Sequence, residues 1–184
     1  QEDFERLSET KSGIAFCPTS NLFLGSGLFD LQQAQQHNVP VSIASDVGGG
    51  TSFSMLQTLN EAYKICQLKG YSLQARQAFY MLTLGNAKAL SLDDKIGNFE
   101  KGKEADFIVM DLNSTDLISR KISTCKTLDE VLFSLMILGD DRSKFIFSLV
   151  SCNRWGCMDW CVFLLCVARL EFKRAASMEK RKRD

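Results

Sequence analysis

Two apolar runs without polar alternation, "SGIAFCP" at residues 12–18 and "VPVSIAS" at 39–45, restrict the fold more than any other feature of the chain. Each is short and carries β-branched or aromatic residues, and Pro18 stops the first. Such runs read as strands buried on both faces. Between them, "TSNLFLGSGLFD" reads as a loop with two glycines and "DLQQAQQHN" as a helix. After the second run, Thr51 or Ser52 is expected to cap a helix. Its apolar face would be Phe53, Leu56, Leu59, Tyr63 and Cys66, which recur at three- and four-residue steps, and Gly70 would end it. Ser72 is expected to cap a further helix with Ala75, Ala78, Phe79 and Leu82 on its stripe and a break at Gly85. Apolar strands separated by helices imply an α/β fold with a parallel sheet, whose chemistry sits at the C-terminal strand ends.

Beyond Leu92 the pattern changes. "KIGNFEKGKEADFIVMD" has turn residues and then a strand at 107–110, a small β element outside the parallel sheet. "TLDEVLFSLMILGDD" returns to helix, with Thr127 and Glu130 spaced as a capping box. Its residues Val131, Leu132, Leu135, Met136 and Leu138 cover enough of the circumference to be mostly buried.

One carboxylate, Asp46, stands where the second strand ends, followed one residue later by Gly48, Gly49 and Gly50. Three readings fit. A glycine loop opening a helix can cradle phosphate on its backbone N–H groups, although "DVGGGT" matches neither the P-loop nor GxGxxG. An Asp can simply cap or turn a βα loop. A carboxylate at such a strand end can also bind a metal or serve as a general base, with glycines letting a ligand come close. The single histidine, His37, precedes the second strand and is expected at the surface, not in a site.

Composition narrows the function classes. The 184 residues are 45% hydrophobic with a formal net charge of zero, which argues against a nucleic-acid binder. No apolar run reaches the ~18 residues of a spanning helix, so no membrane partner is expected. The seven cysteines form no CxxC pair, and Cys152, Cys157, Cys161 and Cys166 fit no common zinc spacing. Free thiols in a reducing compartment, the cytoplasm, are the expectation.

Four stretches resemble the guanine deaminase family of the amidohydrolase superfamily: "AFCPTSNLFLGSGLFDLQQA", "SDVGGGTSFSMLQTLNEAYK", "LTLGNAKALSLDDKIGNFEKGKEADFIVMD" and "LGDDR". The resemblance covers residues 1–142. It implies a metallo-dependent (β/α)8 barrel with an accessory β-sandwich, of which this chain supplies the last two barrel strands and helices and part of the sandwich. Residues 1–95 would then belong to the barrel, and residues 96–142 to the sandwich segment and a closing helix. Residues 143–184 form a divergent tail. The resemblance further implies one zinc per active site, held by four histidines and by an aspartate that falls on Asp46. That aspartate binds zinc, contacts substrate and takes a proton from the water that attacks guanine. Ser20 and Asn21 are placed near the pocket. The implied partners are guanine as substrate and a second subunit in a homodimer.

The histidines of that set find no counterpart here, so the chain alone is expected to be an inactive fragment or a truncated product. Gln1 in place of an initiating Met points the same way. Alternatives are a sister amidohydrolase acting on another amino-heterocycle, or a non-catalytic interaction piece that uses an exposed barrel edge. A break in composition falls at residue 142. The charge balance is −5 before it and +5 after it, and both tryptophans and four of the seven cysteines follow it. The expectation is a shifted reading frame or an aberrant splice, with one strand still possible at 145–150. The run at 161–168 reads as core-like or aggregation-prone and the basic "EKRKRD" as a solvated end.

Overall fold

In a computed structural model, which describes residues 2–104, 106–140 and 144–148, the two apolar runs become neighbouring strands. β1 (Ile14–Phe16) and β2 (Val41–Ile43) pair in parallel, with Ile14 opposite Val41 and Phe16 opposite Ile43. The parallel sheet expected from the sequence is therefore present. α1 (Glu2–Glu9) precedes it, and two helices, α2 (Pro18–Leu24) and α3 (Leu31–Gln36), connect the strands.

α2 corrects the loop expected there. Pro18 occupies the first turn, where its missing N–H costs nothing, and Gly25 closes the helix in the left-handed region at φ 66°. The sequence does not announce this helix, because Cys17 supplies no capping side chain and Leu22, Phe23 and Leu24 are exposed. Without a cap or a buried stripe, neither usual signal is present.

α3 begins as expected. Asp30 accepts a hydrogen bond from the Gln33 N–H at 3.0 Å and pairs with Lys69 at 3.2 Å. The Gln33 N–H, aided by Lys69, holds the Asp30 carboxyl below its ordinary value despite partial burial. A depressed folded pKa contributes stability above the unfolded value and loses it as pH falls through the folded one. Asp30→Ala is therefore expected to cost about 1 kcal/mol at pH 7. The gap to wild type should close below about pH 4 in urea titrations run across pH.

α4 (Met55–Leu68) is capped by Ser54, not by Thr51 or Ser52, and Phe53 lies outside it, 55% exposed. Ser52 instead accepts from the Ser54 N–H at 3.0 Å, so it shapes the approach to the cap. Leu56, Leu59 and Cys66 are buried as the spacing requires, with Tyr63 packed beside them. The next helix divides at Thr83, whose backbone leaves the helical region, so α5 (Ala75–Leu82) and α6 (Leu84–Ala89) abut. Gly85 lies inside α6, and Gln74, not Ser72, holds the cap position of α5. α7 (Asp116–Ile122) buries one residue, Ile118, which leaves no stripe to read.

α8 (Leu128–Leu138) carries the complete capping box between Thr127 and Glu130. It buries Leu135 and Met136, with Leu132 and Ile137 packed against the core, and Asn60 of α4 donates to the Ile137 carbonyl at 2.9 Å. β3 (Asp106–Met110) and β4 (Lys144–Ser148) form a separate antiparallel pair, Asp106 opposite Ser148. The strand considered at 145–150 thus begins at Lys144. The expectations for Cys152, Cys157, Cys161, Cys166, the run at 161–168 and "EKRKRD" lie outside the described residues.

The core joins Phe16 and Ile43 of the sheet to Leu31, to Leu59, Ala62, Ile65 and Cys66 of α4, to Ala75, Ala78 and Leu82 of α5 and to Met136 of α8. Burial, with the Asp30 charge adding to it, pushes the Cys66 thiol up to about 11. Cys66 is therefore expected to resist iodoacetamide at pH 8 while half-buried Cys17 and Cys125 are modified. Peptide mass mapping after brief exposure checks this.

Candidate functional site

The C-terminal ends of β1 and β2 open side by side, and the residues beyond them are fastened one after another. The Ala44 N–H donates to the Phe16 carbonyl at 3.0 Å, extending the parallel ladder one residue. The buried Thr19 hydroxyl, in the first turn of α2, donates to the Ser45 carbonyl at 3.2 Å. Asp46 comes next, exposed, with φ at 49° in the left-handed region. That conformation is uncommon for a residue other than glycine, and Asp tolerates it better than most.

The glycines answer to crowding and backbone geometry. The Gly50 N–H returns to the Asp46 carbonyl, and Val47 and Gly50 form an isolated bridge, so the turn folds back on itself. Gly48 has φ 127°, which side chains rarely adopt. A Cβ on Gly49 would lie 2.7 Å from Ser20 Oγ and 3.1 Å from Asp46 Oδ2. One on Gly50 would lie 1.8 Å from the Ser45 carbonyl oxygen. What approaches Asp46 closely in this structure is the loop's own backbone.

Ser20 is buried, across the turn from the Asp46 carboxylate. Asn21 follows it, half-buried, its carbonyl closing α2 by accepting from the Ser26 N–H at 3.0 Å. His37 ends α3, before β2 begins, with its ring stacked on Phe4 at 6.0 Å. It stands at the opposite end of the strand from Asp46. A surface depression of about 420 Å³ lined by Lys121, Cys125, Lys126, Glu130 and Phe133 lies between α7 and α8 and shares no lining residue with these strand ends.

Two residues of the strand-end architecture give no sequence signal as such. Thr19 falls within the expected loop. Asn86, in α6, is 4% exposed and bonds Ile43 twice: its Oδ1 accepts from the Ile43 N–H and its Nδ2 donates to the Ile43 carbonyl, both at 2.9 Å. A buried Asn amid small helical residues is the one hint, since Asn is a poor helix former and needs another reason to be there.

As a metal centre the donor set is incomplete. Among the described residues no group of three or more His, Cys, Asp or Glu side chains converges. A catalytic zinc takes about three protein ligands. Asp46 fits as one oxygen donor of such a set, but the described residues do not form the set by themselves.

Similarity to known proteins agrees with this architecture. The profile of the Amidohydrolase family matches residues 1–153, and the chain belongs to that family. Within it, the chain is 59% identical over 145 residues to guanine deaminase of Escherichia coli (strain K12), a match covering 79% of this chain and 33% of that protein. The solved structure of the E. coli guanine deaminase superposes with a TM-score of 0.78 at 56% identity, over 80% of this chain and 35% of that one. Guanine deaminase from C. acetobutylicum, solved with guanine bound in its active site, superposes with a TM-score of 0.63 at 28% identity, over 80% and 35% of the two chains. The chain thus spans about a third of the length of the relatives it matches. The chain has the fold of part of a metallo-hydrolase barrel, with β3 and β4 as an antiparallel pair apart from its parallel sheet.

Proposed function

We propose that this chain is the part of a zinc-dependent guanine deaminase that presents Asp46 to the active site. The observation that carries the reading is that the 145-residue match to the E. coli enzyme spans the strand end where Asp46 stands exposed. The reaction converts guanine and water to xanthine and ammonia. A zinc ion, when bound, supplies the Lewis acidity that makes water nucleophilic near neutral pH. Asp46 contributes one oxygen ligand and accepts a proton from the attacking water. The water oxygen bonds to the amino-bearing ring carbon, the C–N bond breaks, and the proton held by Asp46 leaves on the amine nitrogen as ammonia. The remaining hydroxyl proton moves to the ring as the carbonyl of xanthine forms. Ser20 and Asn21 lie near the pocket, and the glycine turn keeps the loop slim beside it.

With one ligand among its described residues, the chain is not expected to turn over guanine alone. The assembled enzyme is read as a homodimer without nucleic-acid or membrane partners. No described helix is long and apolar enough to cross a membrane. The setting is read as reducing and cytoplasmic, with which free thiols at Cys66 and Cys125 accord.

The test follows guanine-to-xanthine absorbance with zinc, on this chain alone and mixed with the part of the E. coli relative that it does not span. Turnover only in the mixture supports the reading. Turnover by the chain alone would refute the single-ligand account. A folded, zinc-loaded mixture that ignores guanine but deaminates another amino-heterocycle would transfer the assignment to a sister amidohydrolase.

A further inference from the structure

We infer that Asn86 is a positioning residue for Asp46, clamping the end of β2 from the side that β1 leaves open. The inference rests on the proposed role of Asp46.

Backbone groups of alternate strand residues face opposite neighbours. Just past β2 the Ala44 N–H reaches the Phe16 carbonyl, so Ile43 turns its N–H and carbonyl to the other edge. A buried pair of this kind must find partners, and Asn86 supplies both with one planar amide. The side chain acts in place of a neighbouring strand at this one position. Asn86 is held in turn. α6 packs against β2 and α5, Ala87 beside it is buried, and a Cβ on Gly97 would meet Ala87 at 2.9 Å, so the following loop lies close against the helix.

Ile43, Ala44 and Ser45 lead the chain to Asp46, and each of the three is tied: Ile43 to Asn86, Ala44 to Phe16, Ser45 to Thr19. Only the first tie crosses to an element outside the β1–α2 side. If it is cut, the strand end can swing on the Phe16 and Thr19 bonds, and the carboxylate moves with it. A residue that only filled the core would not act so selectively on the turn beyond Ser45.

Amide hydrogen exchange on the full chain separates the two roles without zinc or guanine, so failure of the clamp and failure of the deaminase reading are separate results. In Asn86→Ala, protection of the Ala44 and Gly50 amides is expected to fall about 10- to 30-fold further than protection of the Leu59 and Ile65 amides, the effect of two lost buried hydrogen bonds. A comparably destabilised control, Leu82→Ala, should show no such local excess. Asn86→Asp provides the rescue. Its carboxylate repels the Ile43 carbonyl at neutral pH, whereas its protonated acid has the donor–acceptor pair of the amide. Protection of Ala44 and Gly50 relative to wild type should therefore recover on acidification. It also supplies the measurement should the alanine variant not fold. Loss spread evenly over α4 and the strand end, with no recovery of the Asp variant in acid, would overturn the inference.

Discussion

Asp46→Ala in the complemented enzyme is expected to lower guanine turnover by about 10³-fold or more, while leaving the chain's own stability within roughly 0.5 kcal/mol of wild type. The two halves of that expectation have separate grounds. The carboxylate is exposed and belongs to no described ion pair, so its removal withdraws no buried contact. The positive φ of residue 46 is less favourable for Ala than for Asp, which sets the small stability cost. The catalytic cost comes from losing an oxygen donor and a proton acceptor together. Asp46→Asn separates them, because an amide oxygen still reaches a metal but cannot take a proton. It should retain more zinc than the Ala variant, by metal analysis of the purified mixture, and be nearly as slow. An Asp46→Ala mixture with undiminished turnover would remove Asp46 from the chemistry.

The elements legible in the sequence are those that local periodicity controls. The apolar runs at β1 and β2, the stripe of α4 and the Thr127–Glu130 box of α8 each carry their signal within a few residues, and each element forms, although α4 begins later than expected. The misplaced cap before α4 has a plain origin. Thr51, Ser52 and Ser54 all carry hydroxyls within four positions, and only the backbone geometry selects Ser54. Spacing alone puts Phe53 on the apolar face, but the later start of the helix removes it from that face. At the site, Asp46 is legible as a lone charge between an apolar run and glycines. Thr19 and Asn86 are not, because their partners are backbone groups 26 and 43 residues away. A side chain that serves distant backbone leaves no periodic trace. The same holds for the purpose of the glycines, since the crowding at Gly49 and Gly50 involves Ser20, Thr19 and Leu24 of a helix without a cap or a stripe.

Gly50→Ala is expected to disrupt this chain more than either neighbouring glycine substitution, by about 2–4 kcal/mol in urea denaturation, at or above the usual range for overpacking. The added methyl would sit 1.8 Å from the Ser45 carbonyl oxygen, 2.9 Å from Thr19 Oγ1 and 3.0 Å from the Asp46 carbonyl. Two of these atoms belong to the strand end that holds the carboxylate, and the third belongs to α2, which is bonded to it. The Ser45 oxygen cannot retreat without stretching its bond from Thr19, and Thr19 is buried in the first turn of α2. The Gly50 N–H also closes the turn onto the Asp46 carbonyl, so moving residue 50 outward opens it. Gly49→Ala meets the Ser20 hydroxyl at 2.7 Å, but that oxygen sits at the end of a side chain that can rotate, which places the cost nearer ~1 kcal/mol. Gly48→Ala meets no atom within 4 Å and is limited to the strain of φ 127°, of order ~1–2 kcal/mol. The order Gly50 above Gly48 and Gly49 therefore measures whether the turn is packed against the strand end as described. If the three substitutions prove equally mild, the turn stands away from Ser45, and the glycines would have to be explained by something bound there instead.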